Sequence, residues 1–283
     1  MAGCVTFQSG PSTALPANER LELPGRGQLH VVDLNPSAST TLLLVHGYGA
    51  STGSWRPLLP TLSQHFRVLA VDLPGFGKSD ARDGDYSVEA LADVLAQVLA
   101  QKGVAKVHLL GHSWGTAVAM AFALRHRAQV DKLVLISGFL YDEQLLPLFR
   151  WARSGAASKA LFGLLYSGGS GERLYLNFVD PKLVTEEVVE DIERGLKQPG
   201  RIAALWAAAR GMRFADEQYR KVDAETLLVW GRDDRVARLP FGEQLARELP
   251  RARLVVLPRC GHLPMWECTG ETSAVLLDFL RAP

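Results

Sequence analysis

Short runs of apolar residues recur along the chain and alternate with stretches of helical periodicity. The first two runs, residues 21–23 and 29–34, flank Pro24-Gly25-Arg26-Gly27, which predicts a hairpin with a glycine turn. The later runs are continuously apolar, which is typical of strands that are buried on both faces of a parallel sheet. They span residues 41–45, 66–71, 106–110, 132–136, 226–230 and 253–257.

Helical segments connect these predicted strands. The best marked of them starts after Ser87, a good N-cap residue, and runs to about Lys102, where Gly103 ends it. Strands that alternate with helices at this spacing require right-handed crossovers, so the pattern predicts an α/β fold with a mostly parallel sheet covered on both faces. The other helical segments are expected at residues 53–63, after Ser113, at 241–248 and at 271–281.

The alternation stops for about 80 residues after Ser137. Residues 138–220 contain no buried strand pattern, and helices are expected there over residues 143–152, 156–166, 185–196 and 201–210. A helical block between two strands of one sheet indicates an inserted cap. We therefore predict a loose N-terminal arm at residues 1–18, a core in two parts at 19–137 and 221–283, and a helical cap at 138–220.

Composition excludes several functional classes. The chain has 283 residues, is 47% hydrophobic and carries a formal net charge of +1, so nothing in it favours binding of nucleic acid. We expect no secretory signal, and no apolar stretch approaches the roughly 18 residues of a membrane span. The three cysteines, Cys4, Cys260 and Cys268, argue by their odd number and spacing against a disulfide framework or a zinc site. We expect a cytoplasmic protein.

The segment Gly111-His112-Ser113-Trp114-Gly115 lies between a predicted strand and a helix rich in small residues. A strand-to-helix turn this tight places its central residue at strained dihedral angles and exposes its side chain at the sheet edge. Gly111 and Gly115 are needed because a Cβ atom at either position would collide with a neighbouring element. Ser113 would then lie at a helix N-terminus, which favours a developing negative charge.

A serine hydroxyl is a weak nucleophile at neutral pH and needs a base within hydrogen-bond reach. Of seven histidines, His262 is the best candidate, because it follows strand 253–257 at the sheet edge where catalytic groups gather. His46 is expected to order the loop that it begins, and His112 to point away from Ser113. The remaining histidines lie within a strand or in surface-type contexts: His30, His65, His108 and His126.

A carboxylate is needed to orient the imidazole and to stabilise its cationic form. Gly231-Arg232-Asp233-Asp234 follows strand 226–230, and we favour Asp234, while Asp233 stays an alternative. Two backbone N–H groups should hold the oxyanion: that of Trp114, after the nucleophile, and that of Tyr48, in the loop after strand 41–45.

These motifs, in this order, resemble those of the α/β-hydrolase family over about residues 20–281. They are His46-Gly47-Tyr48-Gly49, Asp72-Leu73-Pro74-Gly75-Phe76-Gly77-Lys78-Ser79, the segment around Ser113, Gly231-Arg232-Asp233-Asp234 and Gly261-His262-Leu263-Pro264. The resemblance implies a mostly parallel eight-stranded sheet flanked by helices, with an inserted all-helical cap at residues 138–220. It also implies chemistry without a metal or an organic cofactor.

Departures from the family's subgroups narrow the reaction. Haloalkane dehalogenases and epoxide hydrolases of this fold use an aspartate where this chain has Ser113. Cys260-Gly261-His262 with Trp266-Glu267 is similar to the carbon–carbon bond hydrolases that cleave ring-fission products. Those enzymes carry asparagine in the oxyanion loop, and residues 47–55 contain none.

We therefore predict a serine hydrolase that cleaves a carboxylic ester, or a related acyl bond, through an acyl-enzyme. The many apolar residues of 138–220 suggest a small or medium hydrophobic substrate. Arg150, Arg153 and Arg210 could bind a substrate carboxylate but are expected at the surface. The enzymatic alternatives are a carbon–carbon bond hydrolase, a lactonase or an amidase, and the non-enzymatic alternative is a hydrolase fold retained only for binding.

Overall fold

The computed structural model describes residues 18–145, 147–153, 158–167, 177–184, 186–214 and 216–282. Within them, eight strands form one sheet in the order β1-β2-β4-β3-β5-β6-β7-β8. The strands are β1 (Asn18–Leu23), β2 (Gly27–Leu34), β3 (Thr41–Val45), β4 (Arg67–Val71), β5 (Val107–His112), β6 (Val130–Ile136), β7 (Glu225–Gly231) and β8 (Ala252–Leu257). β2 is antiparallel to β1 and β4, and all other neighbours are parallel. The predicted eight-stranded, mostly parallel sheet is confirmed.

The α-helices of the core and those between β6 and β7 follow the same chain order. They are α1 (Leu59–Leu62), α2 (Val88–Gln101), α3 (Gly115–Arg125), α4 (Pro147–Ala152), α5 (Ser158–Ser167), α6 (Glu186–Leu196), α7 (Arg201–Arg210), α8 (Leu239–Glu248), α9 (Pro264–Glu267) and α10 (Thr269–Arg281). Short 3-10 turns occur at Thr52–Trp55, Arg127–Gln129, Asp142–Gln144, Pro181–Leu183 and Asp216–Lys221. None of the described helices is long and apolar enough to cross a membrane.

The sheet is buried on both faces because successive side chains of a strand point to opposite sides. In β3, Leu43 and Val45 pack against the cluster that includes α2 and α3. Leu42 and Leu44 pack on the other face, in the cluster that includes α10. This two-sided burial explains why the parallel strands are continuously apolar in sequence.

Two predicted helices are broken by proline. The helix expected over residues 53–63 is instead the 3-10 turn Thr52–Trp55 followed by the short α1, because Pro57 lacks the N–H that would continue the hydrogen-bond ladder. The helix expected over residues 143–152 is likewise the 3-10 turn Asp142–Gln144 followed by α4, which begins at Pro147. Proline is favoured at a first helical position, so it restarts the helix there.

The predicted N-terminal arm and the predicted cap are described to different extents. Residues 1–17 of the predicted arm lie outside the described residues, and Asn18 already belongs to β1. All regular secondary structure that is described between β6 and β7 is helical, with α4 to α7 falling in the segment 138–220. The boundaries of this segment, and a cytoplasmic location, stay predictions.

Candidate active site

The site is built around Ser113, where β5 turns into α3. Ser113 has a φ of +52°, a left-handed conformation that is unfavourable for a residue with a side chain. Surrounding contacts fix this conformation, because the Ser113 N–H donates to the carbonyl of Ile136 (3.0 Å) and the Ser113 carbonyl accepts from the N–H of Thr116 (3.0 Å). The strained turn predicted from the sequence is therefore present.

The glycines on either side of Ser113 lie against other backbone segments. A Cβ atom on Gly115 would lie 2.3 Å from the carbonyl oxygen of His46, and one on Gly111 would lie 2.7 Å from that of Gly115. Backbone atoms cannot move aside as a flexible side chain can, so both positions require glycine. This close approach lets α3 begin directly beneath the loop that follows β3.

Ser113, His262 and Asp234 form a continuous hydrogen-bonded line. The Oγ of Ser113 lies 2.9 Å from Nε2 of His262, and Nδ1 of His262 lies 2.9 Å from Oδ2 of Asp234. The other oxygen of Asp234 accepts the N–H groups of Val236 and Ala237, both at 2.8 Å. Because a carboxylate only accepts, Nδ1 of His262 must carry the proton and Nε2 is free to take one from Ser113.

The structure distinguishes the two candidate aspartates. Asp234 is 5% exposed and contacts His262, whereas Asp233 is exposed and its N–H donates to the carbonyl of Cys260 (2.9 Å). Asp233 therefore ties the β7 loop to the His262 loop, and Asp234 is the residue that the fold brings to the imidazole.

His112 holds the loop of His262 from beneath. Its Nε2 lies 2.9 Å from the carbonyl oxygen of His262, which can only accept, so Nε2 carries the proton. Burial, and to a lesser extent the neighbouring His262, lowers the pKa of His112 to about 3. His112 is thus neutral beside His262 and points away from the Ser113 hydroxyl, as expected.

The loop after β3 carries Tyr48 and lies over the turn of residues 111–115 around Ser113, which we call the elbow. His46 orders this loop as predicted: its Nδ1 donates to the carbonyl of Gly47 (2.8 Å) and its Nε2 accepts the N–H of Leu73 (3.0 Å). The pKa of His46 is lowered by burial, although Asp72 opposes this effect. The Tyr48 ring packs edge-on against Trp114 (5.7 Å between centroids), so the two proposed oxyanion residues are neighbours.

Asp72 supports the same loop and was not singled out as a site residue from the sequence. One of its oxygens accepts the N–H of Thr52 (2.6 Å) and the other accepts that of Lys78 (2.8 Å). Burial opposes its ionisation, but hydrogen bonds and the nearby His30 and His46 hold its pKa below the usual value. His30 was expected at the surface, yet it is 3% exposed and lies 3.0 Å from Asp72. Only the tertiary pairing of β2 with β4 reveals this contact.

The cysteine prediction is wrong. Cys260 and Cys268 form a disulfide bond, with Cα atoms 6.2 Å apart. The odd cysteine count and the short spacing argued against this pair. The cysteines meet because α9 folds the intervening residues back on themselves. The bond closes a ring around His262 and α9.

A cavity of about 420 Å³ lies above Ser113, between the carboxyl ends of the strands and the 138–220 segment. Its apolar walls include Phe139, Phe149 and Leu205, which agrees with the apolar pocket expected from the sequence. Its ionisable side chains were not expected. Among the described lining residues the basic ones are Arg56, Lys78, Arg194, Arg201 and Arg235, and the one acidic residue is Asp72.

The arginines considered from the sequence do not line this cavity. Arg150 donates to the carbonyl of Asp142 (3.3 Å), and Arg153 pairs with the carboxylate of the same residue (2.9 Å). Arg210 lies over the ring of Trp206, 4.7 Å from its centroid. All three are engaged outside the cavity of Ser113.

Another cleft, of about 870 Å³, lies at the opposite edge of the sheet. Its charged groups are engaged with each other or with backbone: Lys106 pairs with Asp131 at 2.6 Å, and Lys132 donates to the carbonyls of Phe279 (2.9 Å) and Ala282 (2.6 Å). It holds no arrangement of nucleophile and base comparable to that at Ser113.

Comparison with known proteins agrees with this architecture. A family model of the α/β-hydrolase fold matches residues 40–268. The chain is 34% identical over 260 residues to the 2-hydroxy-6-oxononadienedioate/2-hydroxy-6-oxononatrienedioate hydrolase of Burkholderia vietnamiensis, covering 87% of this chain and 88% of that protein.

Solved structures give the same result. The meta-cleavage product hydrolase CumD of Pseudomonas fluorescens IP01 is 25% identical, with a TM-score of 0.78 over 93% of this chain and 97% of that one. A thermophilic esterase from Thermogutta terrifontis is also 25% identical, with a TM-score of 0.77 over 94% of this chain and 98% of that one. The chain therefore belongs to the α/β-hydrolase fold family and is a hydrolase.

Proposed function

We propose that Ser113, His262 and Asp234 are the catalytic residues of a serine hydrolase. His262 takes the proton of the Ser113 hydroxyl as its oxygen attacks a carbonyl, and Asp234 keeps the imidazole in the required tautomer and stabilises its cation. The support is geometric: both hydrogen bonds of this line are 2.9 Å, and Asp234 and His262 are at most 5% exposed.

The backbone N–H groups of Tyr48 and Trp114 are proposed to hold the oxyanion. They come from two segments that meet over Ser113, and Trp114 lies at the start of α3, where the helix dipole favours negative charge. After the first step, His262 gives its proton to the leaving group and then activates water to release the acyl group. The 138–220 segment acts in this proposal as a cap over the substrate.

The substrate that we propose is a carboxylic acid that also contains a ketone. The enzyme would cleave the bond between the ketone carbon and the neighbouring carbon. The observation that carries this proposal is the charge of the cavity, which has five basic lining side chains against one acid, Asp72. Asp72 offsets one of these charges and Glu190 pairs with Arg194 (3.5 Å), so the lining keeps a net positive charge, which favours an anionic ligand. A neutral hydrophobic ester would gain nothing from this charge.

Relatives suggest which acid it is. The relative of 34% identity is named for the hydrolysis of a 2-hydroxy-6-oxo dienedioate, which is a dicarboxylic acid with a ketone. In such a skeleton the 2-hydroxyl group first ketonises, with transfer of a proton to C5, the carbon beside the ketone. The bond between C5 and the ketone carbon can then break, because its electron pair is delocalised along the conjugated chain to the oxygen on C2. Water supplies OH to the acyl fragment and a proton to the departing dienolate.

Ester hydrolysis is the second candidate. The loop of residues 47–55 contains no asparagine, and the structurally similar Thermogutta protein is an esterase. The same nucleophile, base and oxyanion donors would serve an ester carbonyl, so the geometry of the triad does not separate the two reactions.

The deciding experiment compares two kinds of substrate. 2-Hydroxy-6-oxo-6-phenylhexa-2,4-dienoate, its carboxylate methyl ester and p-nitrophenyl butyrate are each offered to the wild type and to Ser113→Ala. We expect loss of the dienone absorbance with the free acid, a kcat/KM at least about 10-fold lower for its methyl ester, and no turnover by the variant. Turnover of p-nitrophenyl butyrate alone would replace the carbon–carbon proposal by the ester one.

A further inference from the structure

The short helix α9, which follows His262, contacts two other parts of the site. Nε1 of Trp266 donates to the carbonyl of Ser54 (2.9 Å), in the segment that follows the Tyr48 loop. Trp266 and Leu263 also pack against a small apolar cluster in the 138–220 segment: Phe178, Val184 and Val189. The residues beside the base are therefore packed against both the oxyanion loop and the proposed cap.

Glu267, the last residue of α9, joins the base to the proposed cap through its carboxylate. One oxygen accepts the N–H of Gly261 (2.9 Å), the residue before His262. The other oxygen accepts the N–H of Val179 (2.7 Å), in the 138–220 segment. The N–H of His262 donates in parallel to the carbonyl of Asn177 (3.0 Å). Two consecutive peptide groups of the histidine loop are thus tied to the same short stretch, residues 177–179.

Placing the Glu267 carboxylate between two loops costs free energy of solvation, which a purely local turn would not require. Burial raises the pKa of Glu267, and so does the nearby Asp234, while hydrogen bonds from Val179, Gly261 and Leu263 lower it. An ionised carboxylate placed between two loops loses solvation that it would keep at the surface. Its two oxygens are needed together, because no neutral side chain of this length accepts two separate N–H groups at its two ends.

We propose that Glu267 is a positioning residue, which holds the His262 loop against residues 177–179 and so keeps the imidazole within reach of Ser113. The position of the proposed cap and that of the base then depend on each other. The inference rests on the proposed function, because it requires His262 to act as the base. In Glu267→Gln, the amide presents one acceptor and one donor, so one of the two N–H groups loses its partner.

The test uses Glu267→Gln with Glu271→Gln as the matched control. Glu271 is exposed, lies four residues later in the first turn of α10, and undergoes the same change of charge. The turnover rate is divided by the number of serines that a reactive phosphonate has labelled once labelling is complete. Unfolded molecules, whose serine does not react, are then not counted. We expect kcat per labelled serine to fall about 10- to 100-fold in Glu267→Gln, because the base is displaced, with a smaller change of KM, because only Asn177 and Phe178 of the cavity lining belong to the stretch that Glu267 holds. Glu271→Gln should match the wild type.

A second readout needs no substrate. The Nδ1 proton that His262 shares with Asp234 should give a downfield proton NMR signal in the wild type and in Glu271→Gln, and this signal should shift or broaden in Glu267→Gln. An unchanged signal with an unchanged kcat per labelled serine overturns the proposal, as does a rise in KM alone.

Glu267→Asp serves as the second variant, since it keeps the charge but is one methylene shorter. If neither Glu267 variant folds while Glu271→Gln does, the residue is structural and the proposal is wrong. If the wild type turns over neither acids nor esters, the proposed function fails, and the NMR signal still tests Glu267 by itself.

Discussion

The proposed nucleophile, Ser113, and the proposed base, His262, are held in place in different ways. Ser113 is fixed by its own turn: its φ of +52°, the close approach of Gly115 to His46 and the start of α3 all lie within a few residues or in the adjacent strand. His262 is fixed by residues distant in sequence, namely Asp234, His112 and Asn177, and, through Gly261, by Glu267, which in turn binds Val179.

Because of this difference, the two regions should respond differently to substitution. The elbow is rigid because backbone meets backbone, so an added methyl group should damage its fold while few side-chain changes reach it. The histidine loop depends on a network of hydrogen bonds, so single polar substitutions should alter its geometry while the fold persists. The segment 177–179 is part of that network, which gives the proposed cap a direct link to the base.

The largest expected effect tests whether Ser113 and His262 act as one unit. Ser113→Ala and His262→Ala should each lower kcat by about 10³- to 10⁶-fold, and the double variant should be no slower than the worse single variant. Steady-state kinetics on the preferred substrate measures this, with circular dichroism as the control for folding. Additive losses would show that the two side chains act independently, which contradicts the proposed proton transfer.

The elbow itself is tested by Gly115→Ala. The new Cβ atom would lie 2.3 Å from the carbonyl oxygen of His46, so we expect the free energy of unfolding to fall by about 3 kcal/mol. Gly270→Ala in α10 is the control, because nothing lies within 4 Å of an added Cβ there. Urea unfolding of the control should stay within about 1 kcal/mol of the wild type. Equal stability of the two variants would contradict the backbone contact.

The smallest effect concerns the support beneath His262. His112 has a pKa of about 3 in the folded chain, lowered from 6.5, so the unfolded chain binds a proton that the folded chain does not. Its contribution to stability is full above pH 6.5 and is lost as the pH falls toward 3.

Replacement by glutamine, which retains a donor and does not titrate, isolates this contribution. Between about pH 7.5 and about pH 5.5, the unfolding free energy of the wild type should fall by about 1.4 kcal/mol more than that of His112→Gln. Urea titrations at both pH values measure the difference. Parallel losses in the two proteins would mean that folding does not lower the pKa of His112.

The contrast between elbow and histidine loop also explains what the sequence could predict. The strands β3 to β8 and the turn at Ser113 were predictable because apolar runs and glycine spacing are local signals. The line from Ser113 through His262 to Asp234 followed from the order of loops at one sheet edge.

The ties from Glu267 to Val179 and from Asp72 to His30 were not predicted, since each joins elements whose meeting depends on the complete fold. The basic lining of the cavity was not predicted either, because its five side chains come from five separate segments. The disulfide between Cys260 and Cys268 was missed for a different reason, namely the odd cysteine count and the short spacing.

The order of strands in the sheet has a consequence for how the protein is made. Ser113 follows β5 in the middle of the sheet, whereas Asp234 and His262 follow β7 and β8 at one edge. Chains fold from the N-terminal side during synthesis, so the nucleophile emerges from the ribosome long before its base. A serine hydroxyl without a base is inert. In the proposed mechanism, hydrolysis therefore begins only when the last strand has joined the sheet, so a nascent chain does not attack the esters and thioesters around it.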